Sequence, residues 1–295
     1  MKPLLPSDQF SLQFGELQFA LLVLSTLLIA AAGYIINDYF DTQTDLINKP
    51  GRVVVGIRIG RRVAMILHAV LNGFGVGLGV YLSFYIRLPA LSLVFIFATG
   101  LLWFYSTSYK RQFLVGNLSV AFLTGLVPMM VVLFEIPLLN REYGTVMLQH
   151  NLNFNYMVAW VGGFSFFAFL TTLIREVIKD TEDFEGDRAY GMKTLPIVLG
   201  IFWTRVIVVA LVAFAVYMLV YLMMRHILFS VEPADLISLG YFTLLLILPL
   251  LILAARVITA RKKEHYHTAS ILVKGIMLSG ILYSVVVFYL VTFKY

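Results

Sequence analysis

Eight mostly apolar stretches, each of about 20 residues or more, divide the chain at roughly 14–37, 62–85, 88–107, 114–136, 155–178, 197–224, 235–257 and 269–292. A helix of that length crosses the ~30 Å hydrocarbon layer of a bilayer with all its backbone groups paired. The pattern predicts an all-α, polytopic transmembrane helix bundle of 8 spanning helices, folded as a single membrane-embedded domain over 1–295. Pro89, Pro128, Pro137 and Pro196 lie near predicted helix ends and are expected to stop or kink them. Residues 1–13 carry Pro3 and Pro6 but no basic segment leading into a short apolar core. The first span is therefore expected to be retained rather than cleaved as a signal.

The polar positions that break this pattern are concentrated in two places. The first span runs into Asn37-Asp38-Tyr39-Phe40-Asp41-Thr42-Gln43-Thr44-Asp45. On a helix Asp38, Asp41 and Asp45 share one face, with Asn37 one turn from Asp41. Like charges so spaced cost a few tenths of a kcal/mol per pair, which a cation held between them relieves. By itself this stretch reads equally as a cation site or as a solvated helix end. The fifth span ends in a second acidic row, with Glu176, Asp180, Asp183 and Asp187 again on one helical face. Gly186 is expected to end that helix or to permit a close backbone approach. Acidic rows after the first and fifth spans predict two pseudo-repeated four-helix halves around a central cavity.

Composition supports the membrane reading. Hydrophobic residues make up 60% of the chain and charged residues 13%, against about 45–50% and 25% in soluble domains. With no cysteine, disulfides, thiolate metal sites and cysteine nucleophiles are excluded. The oxygen donors of the acidic rows favour a hard ion such as Mg²⁺. The net charge of +6 reflects loop topology first. No basic stripe interleaved with aromatics supports nucleic acid as a partner.

Basic residues are strongly one-sided. Lys49, Arg52, Arg58, Arg61, Arg62, Lys110, Arg111, Arg175, Lys179, Arg188, Lys193, Arg256, Arg261, Lys262 and Lys263 fall on one side, against Lys2, Arg87, Arg141, Arg225 and Lys294 on the other. The positive-inside rule puts the first group, and with it both acidic rows, in the cytoplasm. For a bacterial chain the membrane would be the plasma or inner membrane. Two acidic faces at one cavity mouth require cations with an anionic ligand between them. Lys110, Arg111, Arg175, Lys179 and either Arg52 or Arg58 suit a diphosphate, and a membrane cavity behind suits a long hydrocarbon tail. These observations predict ionisation of a polyprenyl diphosphate, followed by attack of a hydrophobic acceptor in the bilayer. Tyr34, Tyr39, Tyr105 and Tyr109 are candidates to shield an allylic cation, or members of an interfacial aromatic belt. His68, inside the second span, is expected to be hydrogen-bonded within the bundle.

The paired motifs resemble those of the UbiA superfamily of intramembrane prenyltransferases. Asn37-Asp38-Tyr39-Phe40-Asp41 with Asp45 matches the first aspartate motif, and Asp180-Thr181-Glu182-Asp183-Phe184-Glu185-Gly186-Asp187 the second. Within the superfamily, Arg175 through Asp180, Gly191-Met192-Lys193-Thr194-Leu195-Pro196, Tyr105-Ser106 with Lys110, and Gly116-Asn117 are most similar to the geranylgeranylglycerol-phosphate geranylgeranyltransferase branch. Asn48-Lys49-Pro50 is similar to that branch, whereas Val53-Val54-Val55-Gly56 departs from its proline-rich pattern.

The resemblance implies Mg²⁺ on Asp38, Asp41, Asp45, Asp180, Asp183 and Asp187. Of these, Asp38, Asp41, Asp180 and Asp183 are the implied catalytic carboxylates. It implies Asn37, Lys110, Asn117, Arg175 and Lys179 on the diphosphate, and transfer of a geranylgeranyl group in membrane lipid biosynthesis. An aromatic acceptor, as in quinone, tocopherol-type or haem precursors, would use the same donor site. A cation transporter is the alternative from another class, but both acidic rows lie at one side with no ionisable relay towards the other. The family usually has nine spans, with the first aspartate motif after the second. The chain is therefore expected to lack the family's first helix, and a version extended upstream is expected to be more active in a side-by-side turnover assay.

Overall fold

The computed structural model describes residues 5, 10–48, 51, 53–224 and 236–293. Among the described residues eight helices are long and apolar enough to cross a membrane, and there is no strand beyond one isolated bridge between Val55 and Ile59. The chain forms two compact units, Met1–Ser165 and Phe166–Tyr295.

The first unit holds α1 (Glu16–Asn48), α2 (Arg61–Tyr85), α3 (Ser92–Thr107), α4 (Val115–His150) and the start of α5 (Asn155–Glu182). Small residues let its helices approach closely, as expected where lipid removes any hydrophobic drive between them. At Gly75 of α2 an added Cβ would lie 2.8 Å from Ile29 Cγ1 and 3.1 Å from the Ser25 carbonyl of α1. The Ser25 hydroxyl donates to the Gly75 carbonyl at 2.6 Å, sealing the crossing. Gly79 takes the Phe95 ring of α3 in the same way. Around these contacts Leu22, Ile29, Leu82, Ile86, Phe95, Met130 and Phe134 form one buried cluster.

His68 is buried and its Nδ1 lies 2.9 Å from the Ala32 carbonyl. Asn72 Nδ2 is 3.2 Å from His68 Nε2, and the Thr99 hydroxyl donates to Asn72 Oδ1 at 3.4 Å. Donation from Nδ1 to the carbonyl leaves Nε2 to accept from the amide, a neutral tautomer fixed by its neighbours. The expected bundle hydrogen bond is present.

The prolines of α4 do not stop it. The apolar run ends near 136, yet the helix passes through both Pro128 and Pro137 and continues to His150. Its 36 residues correspond to about 54 Å of rise, well beyond the bilayer core. Near the end of the apolar part sits Glu135, 2% exposed. Its carboxylate accepts the backbone N–H of Gln13 at 2.7 Å and of Phe14 at 3.0 Å. The Tyr143 hydroxyl meets the Ser11 amide at 3.2 Å, and the Phe10 ring packs edge-on against Tyr143 and Phe154. Residues 10–14 are thus tied to the extension of α4, and Glu135 supplies oxygens to the free amides just ahead of α1.

The second unit holds the rest of α5, then α6 (Phe184–Ala189), α7 (Leu195–Met223), α8 (Leu236–Tyr241), a π-helical turn (Phe242–Ile247), α9 (Leu248–Thr259) and α10 (Lys263–Phe293). Helix α7 starts with Pro196 in its first turn and is broken at Gly200, whose φ of 82° is a conformation glycine adopts without strain. Tyr241 donates to the Ser279 carbonyl at 2.7 Å and Tyr283 to the Ser238 hydroxyl at 2.9 Å, locking α8 to α10. Just beyond the break in α7, Arg205 Nε donates to the Tyr266 hydroxyl at 2.8 Å.

Candidate active site

Helix α1 carries the whole first acidic row, continuing past Asp45 to Asn48. The Thr42 hydroxyl bonds back to the Asp38 and Tyr39 carbonyls, which ties that side chain to its own helix. Asp38 is exposed, while Asp41 and Asp45 are half-buried. The Lys110 ammonium forms an ion pair with the Asp41 carboxylate and stands 3.5 Å from Asn37 Oδ1. The pair is well enclosed, with side chains 9% and 17% exposed. Burial pushes the Lys110 ammonium below the ordinary lysine value, and the Asp41 carboxylate opposes that shift. Asn37, Asp41 and Lys110, three of the residues singled out in the sequence, are therefore brought together.

Lys110 reaches this place because the chain turns tightly between α3 and α4. A short 3-10 turn, Tyr109–Arg111, follows α3, and Leu114 takes a left-handed φ of 59° before α4 begins. Gly116, in the first turn of α4, lies against that turn: an added Cβ would sit 2.7 Å from Lys110 Cα and 3.0 Å from the Tyr109 carbonyl. The obstructing atoms are backbone and do not swing aside. Gly116→Ala is expected to displace Lys110 from Asp41 and to raise roughly 10-fold the KM for an anionic substrate held by this ammonium, the effect of losing one charge-assisted contact. The protein should still elute as a monodisperse species, and an unaltered KM would show that the turn does not position the lysine. Asn117, the next residue, is buried.

The loop after α1 folds on itself. The Val54 carbonyl accepts from the amides of Arg58 at 2.8 Å and Ile59 at 3.1 Å, and Val53 and Val55 are buried. Arg61, first residue of α2, stacks its guanidinium 4.4 Å over the Tyr39 ring, so this tyrosine face already carries a cation. Tyr34 is 75% exposed, and Tyr109 stacks on Phe104. Arg58 and Arg62 are exposed. Lys49, Pro50 and Arg52 lie outside the described residues.

In the second unit the acidic row spans the junction of α5 and α6. The helix pauses at Asp183, but the hydrogen-bond register persists: the Asp183 amide donates to Lys179 and the Asp187 amide to Asp183. Gly186 therefore sits buried inside α6 and does not end it. That role falls to Gly191, which has a φ of 65° and whose amide donates to the Arg188 carbonyl. Asp187 is buried, and Lys179, Asp180 and Asp183 are half-buried. The Arg175 guanidinium pairs through Nη1 with the Glu176 carboxylate, so the first acid of the row is neutralised by its neighbour. Glu182 accepts from His267 of α10 at 2.8 Å. The Glu182–His267 pair joins residues far apart in sequence, and no local pattern announces it. Glu135 did carry a sequence signal, as a lone acid within an apolar span.

Among the described residues no group of three carboxylate, imidazole or thiolate side chains forms a ready-made metal cage. Small hard ions such as Mg²⁺ are typically held by one or two carboxylates together with substrate phosphates rather than by an all-protein shell. Rows of aspartates spaced along helix ends, with only oxygen donors, fit that mode.

Residues 8–272 match the UbiA prenyltransferase family along nearly the whole chain. The chain belongs to this family. Among relatives of this UbiA-family prenyltransferase, the digeranylgeranylglyceryl phosphate synthase of Methanothermobacter thermautotrophicus is 34% identical over 245 residues, covering 82% of this chain and 73% of that protein. The protein of the same name from Thermococcus sibiricus is 35% identical over 187 residues, which are 61% of this chain and 56% of that one. The fold is that of a UbiA homologue from Aeropyrum pernix, with a TM-score of 0.64 at 18% identity over 93% of this chain and 92% of that one. A UbiA homologue from Archaeoglobus fulgidus bound to GPP and Mg²⁺ gives a TM-score of 0.57 at 15% identity over 90% and 87%. Membership of a prenyltransferase family sets aside the cation-transporter alternative.

Proposed function

We propose that the protein transfers a geranylgeranyl group from its diphosphate to geranylgeranylglycerol phosphate, with Mg²⁺, at the cytoplasmic side of the membrane. The observation that carries this reading is the 34% identity over 245 residues to a digeranylgeranylglyceryl phosphate synthase. The one-sided basic loops support the orientation.

Asp38, Asp41, Asp45, Asp180, Asp183 and Asp187 would hold Mg²⁺. When bound, the ion supplies the positive charge that makes diphosphate a good leaving group. Lys110, held on Asp41, has a flexible stem that turns its ammonium to a phosphate oxygen when the donor arrives. Asn37, Asn117 and Lys179 complete the polar surroundings of the diphosphate. As the allylic C–O bond breaks, its electron pair leaves with the diphosphate, and positively charged donors stabilise that developing charge. The acceptor hydroxyl oxygen forms the new bond to the allylic carbon and gives its proton to an aspartate of the site. A dry membrane interior limits capture of the cation by water.

Purified protein incubated with Mg²⁺, geranylgeranyl diphosphate and a set of acceptors tests the reading. Product with geranylgeranylglycerol phosphate and loss of turnover on chelation with EDTA are expected. Turnover only with aromatic acceptors would overturn the acceptor, and diphosphate release that is indifferent to EDTA would overturn the metal.

A further inference from the structure

Helix α5 continues its polar face inward from the second acidic row. Thr172 is 3% exposed, and its hydroxyl has no hydrogen-bond partner among the described residues. Two other threonines of the helix behave otherwise: Thr171 bonds back to the Phe167 carbonyl at 2.7 Å and Thr181 to the Val177 carbonyl at 3.0 Å. One turn on, at i+3, Arg175 Nε is likewise buried without a partner, while Nη1 is taken by Glu176. Two buried donors on one face of one helix are left unsatisfied by the described residues, and buried donors in native structures are met by protein, ordered water or a ligand.

The remaining Nε–Nη2 edge of the guanidinium is the fork that receives two oxygens of a phosphate. Thr172 lies eight residues before Asp180, or about 12 Å of helix, too far for the diphosphate held at the acidic row to reach both. Thr172 and Arg175 are separated by about 4.5 Å of rise, which suits the hydroxyl and phosphate of a glycerol phosphate. We propose that Thr172 and the Nε edge of Arg175 form a subsite for the phosphoglycerol head of the acceptor lipid. Arg175, read from the sequence as a diphosphate ligand, then serves the acceptor, and Glu176 orients its guanidinium. The proposal rests on the acceptor reading above and names the residues that would select it.

The test is steady-state kinetics with geranylgeranylglycerol phosphate and with its phosphate-free alcohol, on the full chain in detergent. Arg175→Lys keeps the charge and loses the fork. It should raise the KM for the phosphate acceptor roughly 10-fold, the effect of a lost charge-assisted hydrogen bond. It should also erase the preference over the alcohol, with the KM for geranylgeranyl diphosphate unmoved. Thr172→Val should raise the acceptor KM alone, and Thr172→Ser should restore it, which separates the missing hydroxyl from misfolding. A donor KM that rises in step with the acceptor KM would place these groups on the diphosphate and overturn the proposal. Unchanged kinetics in both variants of an enzyme active on the phosphate acceptor would overturn the subsite alone. Turnover on aromatic acceptors only would remove both readings.

Discussion

Alanine in place of Asp41, or of Asp183, is expected to lower prenyl transfer by about 10³-fold, the scale of losing a main source of transition-state charge stabilisation. The donor should still partition into the bilayer, because its hydrocarbon tail is apolar. For Asp41 the effect has a second component: Lys110 is buried against this carboxylate, and alanine leaves an enclosed ammonium with its main counter-charge gone. Asn is the informative companion. Asp41→Asn and Asp183→Asn keep the shape and one acceptor oxygen but lose the charge, and should be nearly as inactive if the carboxylates hold a cation. The measurement is product formation from radiolabelled donor alongside diphosphate release. Wild-type turnover in either alanine variant would sink the idea that both rows act on one leaving group.

Glu135→Ala should destabilise the protein by about 3 kcal/mol, because the amides of Gln13 and Phe14 lose their acceptors together and a buried unpaired N–H costs on the order of 1–3 kcal/mol. For a chain of this size the melting temperature in detergent should fall by on the order of 5–10 °C. Glu135→Gln retains one acceptor oxygen and should fall between wild type and alanine. The same substitution should make residues 10–14 more sensitive to protease, since their attachment to α4 rests on this carboxylate and on Tyr143. A melting temperature within a degree of wild type would show that the carboxylate is not the anchor.

Much of this molecule was legible in one dimension because the bilayer imposes simple rules. A helix in lipid must be long and apolar, so the eight spans could be read from the hydropathy pattern, and all eight are present among the described residues. The acidic rows stood out because charge is rare in such a chain, and helical spacing put each on one face. The errors arose where neighbours override local rules. Pro137 was expected to stop or kink its helix; α4 does not stop there but runs on through it and presents Tyr143 to the segment before α1. Gly186 was expected to end its helix or to permit a close backbone approach; it does not end the helix, and the stop lies at Gly191, where the positive φ occurs. Gly116 appeared in a motif with no stated reason. Its reason is the 2.7 Å approach to Lys110 Cα, a distance no sequence pattern encodes.

The sequence by itself determined the class of fold and the family, because hydropathy, helical periodicity and the two aspartate motifs are local properties. Which cation meets which carboxylate was decided only in three dimensions. Lys110 and Asp41 are 69 residues apart, and His267 and Glu182 are 85 apart. Such pairs depend on how helices are rotated and how closely they pack, and those depend on glycine contacts and burial summed over many residues. The same holds for Thr172, which reads like any helical threonine until its neighbours are seen to bond back to the helix while it does not.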